Sequence, residues 1–193
     1  MPTAARNTLV GVLTVSFRRL SHADLTMLHR WLNEPGVVRW WEGDDVSWDA
    51  VVRDYDPAST ESTEHWIAAI DGTDVGWIQC YPAADEPEET DRWFALGIDG
   101  RAAGIDYLIG EPSARGKGIG SAMIRAFVAD IVFGQHPQWT QACAGPFVAN
   151  EASWRALAKA GFRFIGIIED QDGDAVDGPC RLMAIDRADV NPG

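Results

Sequence analysis

Basic residues, cysteines and long apolar runs are all scarce in this chain, and each scarcity excludes something. Only 16 Lys and Arg stand against 29 Asp and Glu, a formal net charge of −13. A nucleic-acid binder needs a basic patch to displace counterions from phosphates, so nucleic acid is not expected as a partner. No stretch of 18 apolar residues occurs, and no membrane-spanning helix is expected. Cys80, Cys143 and Cys180 are few, odd in number and widely spaced. They read as reduced, mostly buried thiols of a cytoplasmic protein. His22, His29, His65 and His136 are scattered, no Cys or His pair has ligand spacing, and no metal is expected. The first residues, Met1 to Arg6, lack the apolar segment of a secretory leader.

What is present is a globular composition, 46% apolar and 23% charged over 193 residues. That suits one domain, 1–193, with a sizeable core. The acidic surplus serves solubility, or it lines a cleft that concentrates a polycation; charge alone leaves both readings open.

Local patterns place the elements. Leu13 to Arg19 reads as a first strand. Ser21 and Asp24 form a capping-box variant ahead of a helix whose Leu25, Leu28, Trp31 and Leu32 share one face, and Asn33-Glu34-Pro35-Gly36 ends it. Val37 to Pro57 reads as irregular, with Trp40, Trp41 and Trp48 in it. His65 to Ile70 and Val75 to Tyr81 flank Asp71-Gly72-Thr73-Asp74 as a hairpin, and Asp85 to Asp91 follows as an acidic loop. A strand over Ile105 to Ile109, a helix over Gly118 to Phe133, a strand over Thr140 to Ala144, a helix over Glu151 to Ala160 and strands over Phe162 to Ile168 and Cys180 to Ile185 complete the chain. Strands clustered early and alternating with helices later predict a mixed α/β (α+β) fold. Asp170-Gln171-Asp172-Gly173-Asp174 superficially suggests a calcium loop, but without its terminal Glu it reads as an acidic hairpin turn.

The chemistry concentrates in Gly104-Ile105-Asp106-Tyr107-Leu108-Ile109-Gly110, followed by Arg115-Gly116-Lys117-Gly118-Ile119-Gly120-Ser121. This is strand, glycine-rich turn, helix, an arrangement that aims main-chain N–H groups and the positive end of a helix dipole at a phosphate. The spacing fits neither a Walker A loop nor a dinucleotide fingerprint. Asp106 is a carboxylate in an otherwise apolar strand, either a base or amine anchor or a structural acid satisfied by backbone donors. Cys143 has no histidine placed to activate it, which argues against covalent catalysis.

Arg115-x-x-Gly118-x-Gly120 resembles the pyrophosphate-binding signature of the GNAT acetyltransferases, and Asn150 with Ala160-Gly161-Phe162 resembles that superfamily's later segment. Leu28-x-x-Trp31-Leu32-Asn33, Trp40-Trp41 and Gly104-Ile105-Asp106, in that order, resemble the aminoglycoside 6′-N-acetyltransferases. The resemblance implies a central, mostly antiparallel mixed sheet with helices on both faces and a splayed strand pair holding acetyl-CoA. It implies a cofactor site at Leu108, Ile109, Arg115, Gly116, Gly118, Ile119, Gly120, Ser121, Asn150 and Ser153. It also implies a substrate site at Trp40, Trp41, Asp99 and Asp106, with Asp106 the catalytic carboxylate. The expected partner is a polycationic small-molecule amine, and the expected assembly a monomer or homodimer. Adjacent residues of an extended segment point opposite ways, so only one of Trp40 and Trp41 is expected to face substrate. Three positions depart from the pattern: Leu157 replaces a tyrosine, Gly145 an aspartate, and Ala95-Leu96-Gly97 an acidic cluster. With Leu157 there, Ser153 or water is left as proton donor to the leaving thiolate. A lysine or hydroxylysine N-acyltransferase of siderophore assembly, or a CoA-binding module without turnover, shares much of this pattern.

Overall fold

The computed structural model describes residues 8–10, 13–41, 45–169 and 178–190. Its strands are β1 (Thr8–Val10), β2 (Leu13–Arg19), β3 (Glu64–Ile70), β4 (Thr73–Pro82), β5 (Ala102–Ile109), β6 (Gln141–Ala144), β7 (Arg163–Ile168) and β8 (Cys180–Asp186). They form one sheet in the order β1-β2-β3-β4-β5-β6-β8-β7, and every pairing is antiparallel except β5 with β6. The helices are α1 (Leu25–Leu32), α2 (Pro35–Val38), α3 (Trp48–Asp54), α4 (Pro87–Ala95), α5 (Ile119–Phe127), α6 (Phe133–Gln135), α7 (Glu151–Ala160) and α8 (Arg187–Val190).

Strand alternation sends side chains to two faces. Trp66, Ile78, Ile105 and Met183 pack with Met123 and Phe127 of α5 and Leu157 of α7 in the largest core. Ile67, Trp77 and Leu108 point the other way, onto Leu28, Trp31 and Leu32 of α1 and Val51 of α3. A smaller core gathers Trp93 of α4 with Ala102, Cys143 and Leu182. Helices therefore cover both faces of the sheet, as expected.

Two features position the site. β5 follows β6 only from Ala102↔Gln141 to Gly104↔Cys143, whereas its pairing with β4 continues to Gly76↔Ile109. Beyond Gly104 the two parallel strands part, and the sheet opens there. In addition, α1 is pinned across the end of β5. The Trp31 indole, fully buried, donates to Glu111 Oε1 at 2.9 Å, Arg30 pairs with the same carboxylate, and a Cβ on Gly110 would sit 2.1 Å from the Trp31 ring. Only glycine permits that approach.

Several expected elements differ. Val37 to Pro57 is not irregular: it contains the end of α2 and all of α3, the latter capped by Ser47, whose hydroxyl accepts from Ala50 N at 3.4 Å. The acidic stretch 85–91 is not a loop either. It enters α4, with Pro87 in its first turn and Thr90 donating to the carbonyls of Ala83 and Glu86. The single helix expected from Gly118 to Phe133 is α5, then a π-helical turn over Val128–Val132, then α6. The stretch Asp170 to Asp174 lies outside the described residues.

Candidate active site

The sheet opening holds two clefts. The first, about 530 Å³, is walled by Asp106, Gln79, Trp93, Tyr55, Trp77 and Arg92, with Gly145 to Phe147, Ile168 and Cys180 opposite. The second, about 370 Å³, runs along Leu108 and Ile109 to Arg115, Gly116, Gly118, Gly120 and Ser121, bounded by Arg155, Ala156 and Lys159 of α7. Trp40, Trp41, Tyr107, Asn150 and Ser153 line both. The clefts therefore meet at this point, where a group held in one can be passed to a molecule held in the other.

The second cleft has the chemistry of an anion site. Gly116 and Gly118 take φ of 73° and 79°, conformations that favour glycine, and a Cβ on either would meet no atom within 4 Å, so the turn presents bare backbone to the cleft. Gly118 caps α5, whose N-terminal N–H groups and dipole lie at the same turn. Its charged lining is Arg115, Arg155 and Lys159, with no carboxylate among the described residues. The Arg115 side chain is also committed to structure. It donates to the carbonyls of Ile109 at 2.9 Å and Gly110 at 3.3 Å and pairs with Glu34 at 2.5 Å, locking α2 to the end of β5. Arg155 and Lys159, one helical turn apart on α7, were not foreseen: their i, i+4 spacing puts them on one helix face, and only tertiary packing brings that face to the cleft lined by Gly116 and Gly118.

In the first cleft, Asp106 accepts a 2.7 Å hydrogen bond from Gln79 Nε2, its cross-strand neighbour. The bond fixes the carboxylate's direction and leaves it half-buried at the cavity wall. Asp106 and Tyr107 leave β5 on opposite faces. Tyr107 packs with the α5–α7 core, and its hydroxyl lies 2.7 Å from Ser153 Oγ and 3.3 Å from the Ser153 carbonyl. Burial pushes the phenol well above its ordinary pKa. Asn150 caps α7, accepting from Ser153 N at 3.2 Å, and thereby sets the Ser153 position.

The profile of the acetyltransferase (GNAT) domain family matches residues 21–170. The chain belongs to the GNAT acetyltransferase family. It is 33% identical to an aminoglycoside N(6′)-acetyltransferase type 1 of Klebsiella pneumoniae over 167 residues, 84% of this chain and 81% of that protein. The solved structure of AAC(6′)-Ib in a complex containing acetyl-CoA superposes with a TM-score of 0.74 at 31% identity, covering 90% of this chain and 93% of that one. AAC(6′)-Ib in complex with coenzyme A and kanamycin gives 0.73 at 31% identity, covering 90% and 95%.

Within this GNAT acetyltransferase the structure sorts the expected site residues. Leu108, Ile109, Arg115, Gly116, Gly118, Gly120, Ser121, Asn150 and Ser153 line the second cleft; Ile119 turns instead into the core. Trp40 and Trp41 both line the clefts, and the extended segment assumed for them is absent. They continue the helical turn of α2, with their N–H groups donating to Val37 and Val38 carbonyls at 2.8 and 2.9 Å, so the alternation of an extended segment does not apply. Asp99 is not brought to the cavity. It sits in the turn before β5, where its carboxylate accepts from Arg101 N at 2.8 Å and pairs with the Arg101 guanidinium at 3.3 Å. Leu157 is fully buried and lines neither cleft.

Spacing along the chain also hid one cluster elsewhere. Glu64, Cys80 and His136 place ligand-type atoms within 4.8 Å of one another. None lines either cleft. Burial pushes the Cys80 thiol well up, and Glu64 is held by Arg19 at 2.5 Å and His136 at 3.3 Å, so an ion pair organises the group. None of Cys80, Cys143 and Cys180 is in a disulfide.

Proposed function

We propose that this chain transfers the acetyl group of acetyl-CoA directly to a primary amine of a polycationic small molecule, in the first place the 6′-amine of an aminoglycoside. The observation that carries the reading is the position of Asp106. It is the one carboxylate among the described residues lining the first cleft, and it lies beside the point where that cleft joins the phosphate-binding one. The relatives that bind coenzyme A and kanamycin add support.

An ammonium entering the first cleft is held by Asp106, with Trp40 or Trp41 offering a ring face to the cation or the sugar. It must lose a proton before attack, which for amines of pKa about 8 to 10.4 costs roughly 1–5 kcal/mol at pH 7. A carboxylate does not keep such a proton at equilibrium, so Asp106 orients the amine and passes the proton to water. The thioester lies along β5, whose edge beyond Gly104 has no β6 partner and offers main-chain N–H groups to the carbonyl oxygen as charge develops on it. The same reading treats residues 1–193 as one catalytic domain working in the cytoplasm, a reducing compartment that suits cysteines outside disulfides.

A second reading is favoured by Arg92. The charged groups on the described wall of the first cleft are Asp106 and Arg92, and Gly145 brings no carboxylate to it. An amine that also carries a carboxylate, such as lysine or hydroxylysine, satisfies this pair. Release of free CoA from acetyl-CoA with a panel of aminoglycosides, polyamines and lysine derivatives separates the two. Turnover of aminoglycosides, with the product acetylated at the 6′ position by NMR, sustains the first reading. Turnover of lysine-type amines alone replaces it with the second.

A further inference from the structure

Acetyl transfer leaves a thiolate, and the chain has no hydroxyl at Leu157, which is sealed in the core. Five residues line both clefts, and a sulfur released as the acetyl group crosses from one cleft to the other must leave among them. Trp40, Trp41 and Asn150 offer N–H donors, Asn150 with its Oδ1 already accepting from Ser153 N, whereas Tyr107 and Ser153 offer O–H groups. The remaining two, Tyr107 and Ser153, have their hydroxyl oxygens 2.7 Å apart, so each orients the other.

We infer that the Tyr107 hydroxyl, oriented by Ser153, is the hydrogen-bond donor that stabilises the departing CoA sulfur, replacing a donor that cannot act from position 157. This rests on the acetyl-transfer reading above. The amine nitrogen forms the C–N bond as the thioester C–S bond breaks, and the electron pair of the broken bond goes to sulfur. The nitrogen's proton leaves by way of Asp106 and water. Ser153 O–H donates to the phenol oxygen, and the phenol O–H turns from the Ser153 carbonyl, to which it donates at 3.3 Å, to the sulfur. Burial raises the Tyr107 phenol above its ordinary pKa, which makes it a weaker acid than a thiol of about 8.5, so Tyr107 keeps its proton, and solvent protonates the thiolate as CoA departs. Tyr107 is suited to this because it remains a donor across the working pH range, and because the Ser153 backbone is fixed by the α7 cap.

The test is steady-state kinetics of Tyr107→Phe and Ser153→Ala with the best amine of the panel, with acetyl-CoA affinity measured by thermal shift. Tyr107→Phe keeps the ring that packs on the core and removes only the donor. Its kcat is expected to fall about 10²-fold, the loss typical of one removed transition-state donor, with the acetyl-CoA affinity changed less than twofold. Ser153→Ala is expected to fall about 3- to 10-fold by the same measure. A Tyr107→Phe kcat within threefold of wild type, or a loss confined to KM, overturns the inference. Should that variant not fold, Ser153→Ala decides, and a kcat within threefold overturns it. Wild-type turnover beside unaffected variants sinks this inference alone. No wild-type turnover of any amine overturns the transfer reading, and the inference with it.

Discussion

At the residue scale, one carboxylate separates chemistry from architecture. Asp106 is aimed by Gln79 at the first cleft, whereas Asp99 closes a turn with Arg101. Asp106→Asn keeps the shape and the Gln79 contact in modified form but removes the charge that holds an ammonium. We expect kcat/KM to drop about 10²- to 10⁴-fold with acetyl-CoA binding intact; a loss below threefold makes Asp106 structural. His65 supplies a prediction of another kind. It lies against the rings of Tyr55 and Trp77, its buried Nδ1 has no partner among the described residues, and burial, followed by the Arg19 charge, lowers its pKa to about 4. The unfolded chain, with a His of about 6.5, takes up the proton first. The stability gained by keeping His65 neutral is therefore complete above about pH 6.5 and is lost as pH falls toward 4. Thermal midpoints measured from pH 7 to pH 4 should fall less steeply in His65→Phe than in wild type, and equal slopes contradict the assignment.

At the scale of elements, what was legible followed from length and period. The helical face of Leu25, Leu28, Trp31 and Leu32 is buried as its spacing requires, and Glu151–Ala160 starts and stops where Asn150 and Gly161 mark it. α2 has four residues and α3 seven, too few turns for a 3.6-residue period to stand out, so both passed as irregular chain. α4 was hidden by the acidic composition of its first turn, although carboxylates are favoured at a helix N-terminus. The turn before α5 was fully readable because its glycines are local necessities. Gly118→Asp would place a side chain at φ 79°, costing about 1–2 kcal/mol, and would set a carboxylate against the phosphates. The stabilisation by saturating acetyl-CoA, about 2.7 kcal/mol at 100 times Kd, should vanish in a thermal-shift measurement. A shift equal to that of wild type puts the phosphates elsewhere.

Across the whole molecule, the charge of −13 is unevenly spent. The charged groups of the second cleft are Arg115, Arg155 and Lys159, which would suit a polyphosphate donor in an otherwise acidic protein. In the first cleft the described charges are Asp106 and Arg92. A polycationic amine is drawn by the long-range field and opposed locally by Arg92. Raising salt should therefore weaken its apparent affinity, since screening sets in over about 10 Å at 0.1 M. Arg92→Gln should lower KM for such an amine about 2- to 5-fold, the effect of one partly screened charge. A rise in KM on the same substitution would mean that Arg92 grips the substrate, as expected for an amine bearing a carboxylate.

The sequence by itself determined what local chemistry can determine: the glycine-rich turn ahead of α5, the capped helices, the alternation that puts a carboxylate in an apolar strand, and the motif order shared with the GNAT acetyltransferases. Only the tertiary structure decided which of those residues meet. The parting of β5 from β6 after Gly104 created the clefts, and a helical turn brought both Trp40 and Trp41 to their junction. Packing of α7 joined Ser153 to Tyr107 while burying Leu157, and Arg101 kept Asp99 outside. Spacing along a chain reports turns and faces because those depend on neighbours a few residues away. A cleft is the space left between elements tens of residues apart, and no local pattern encodes it.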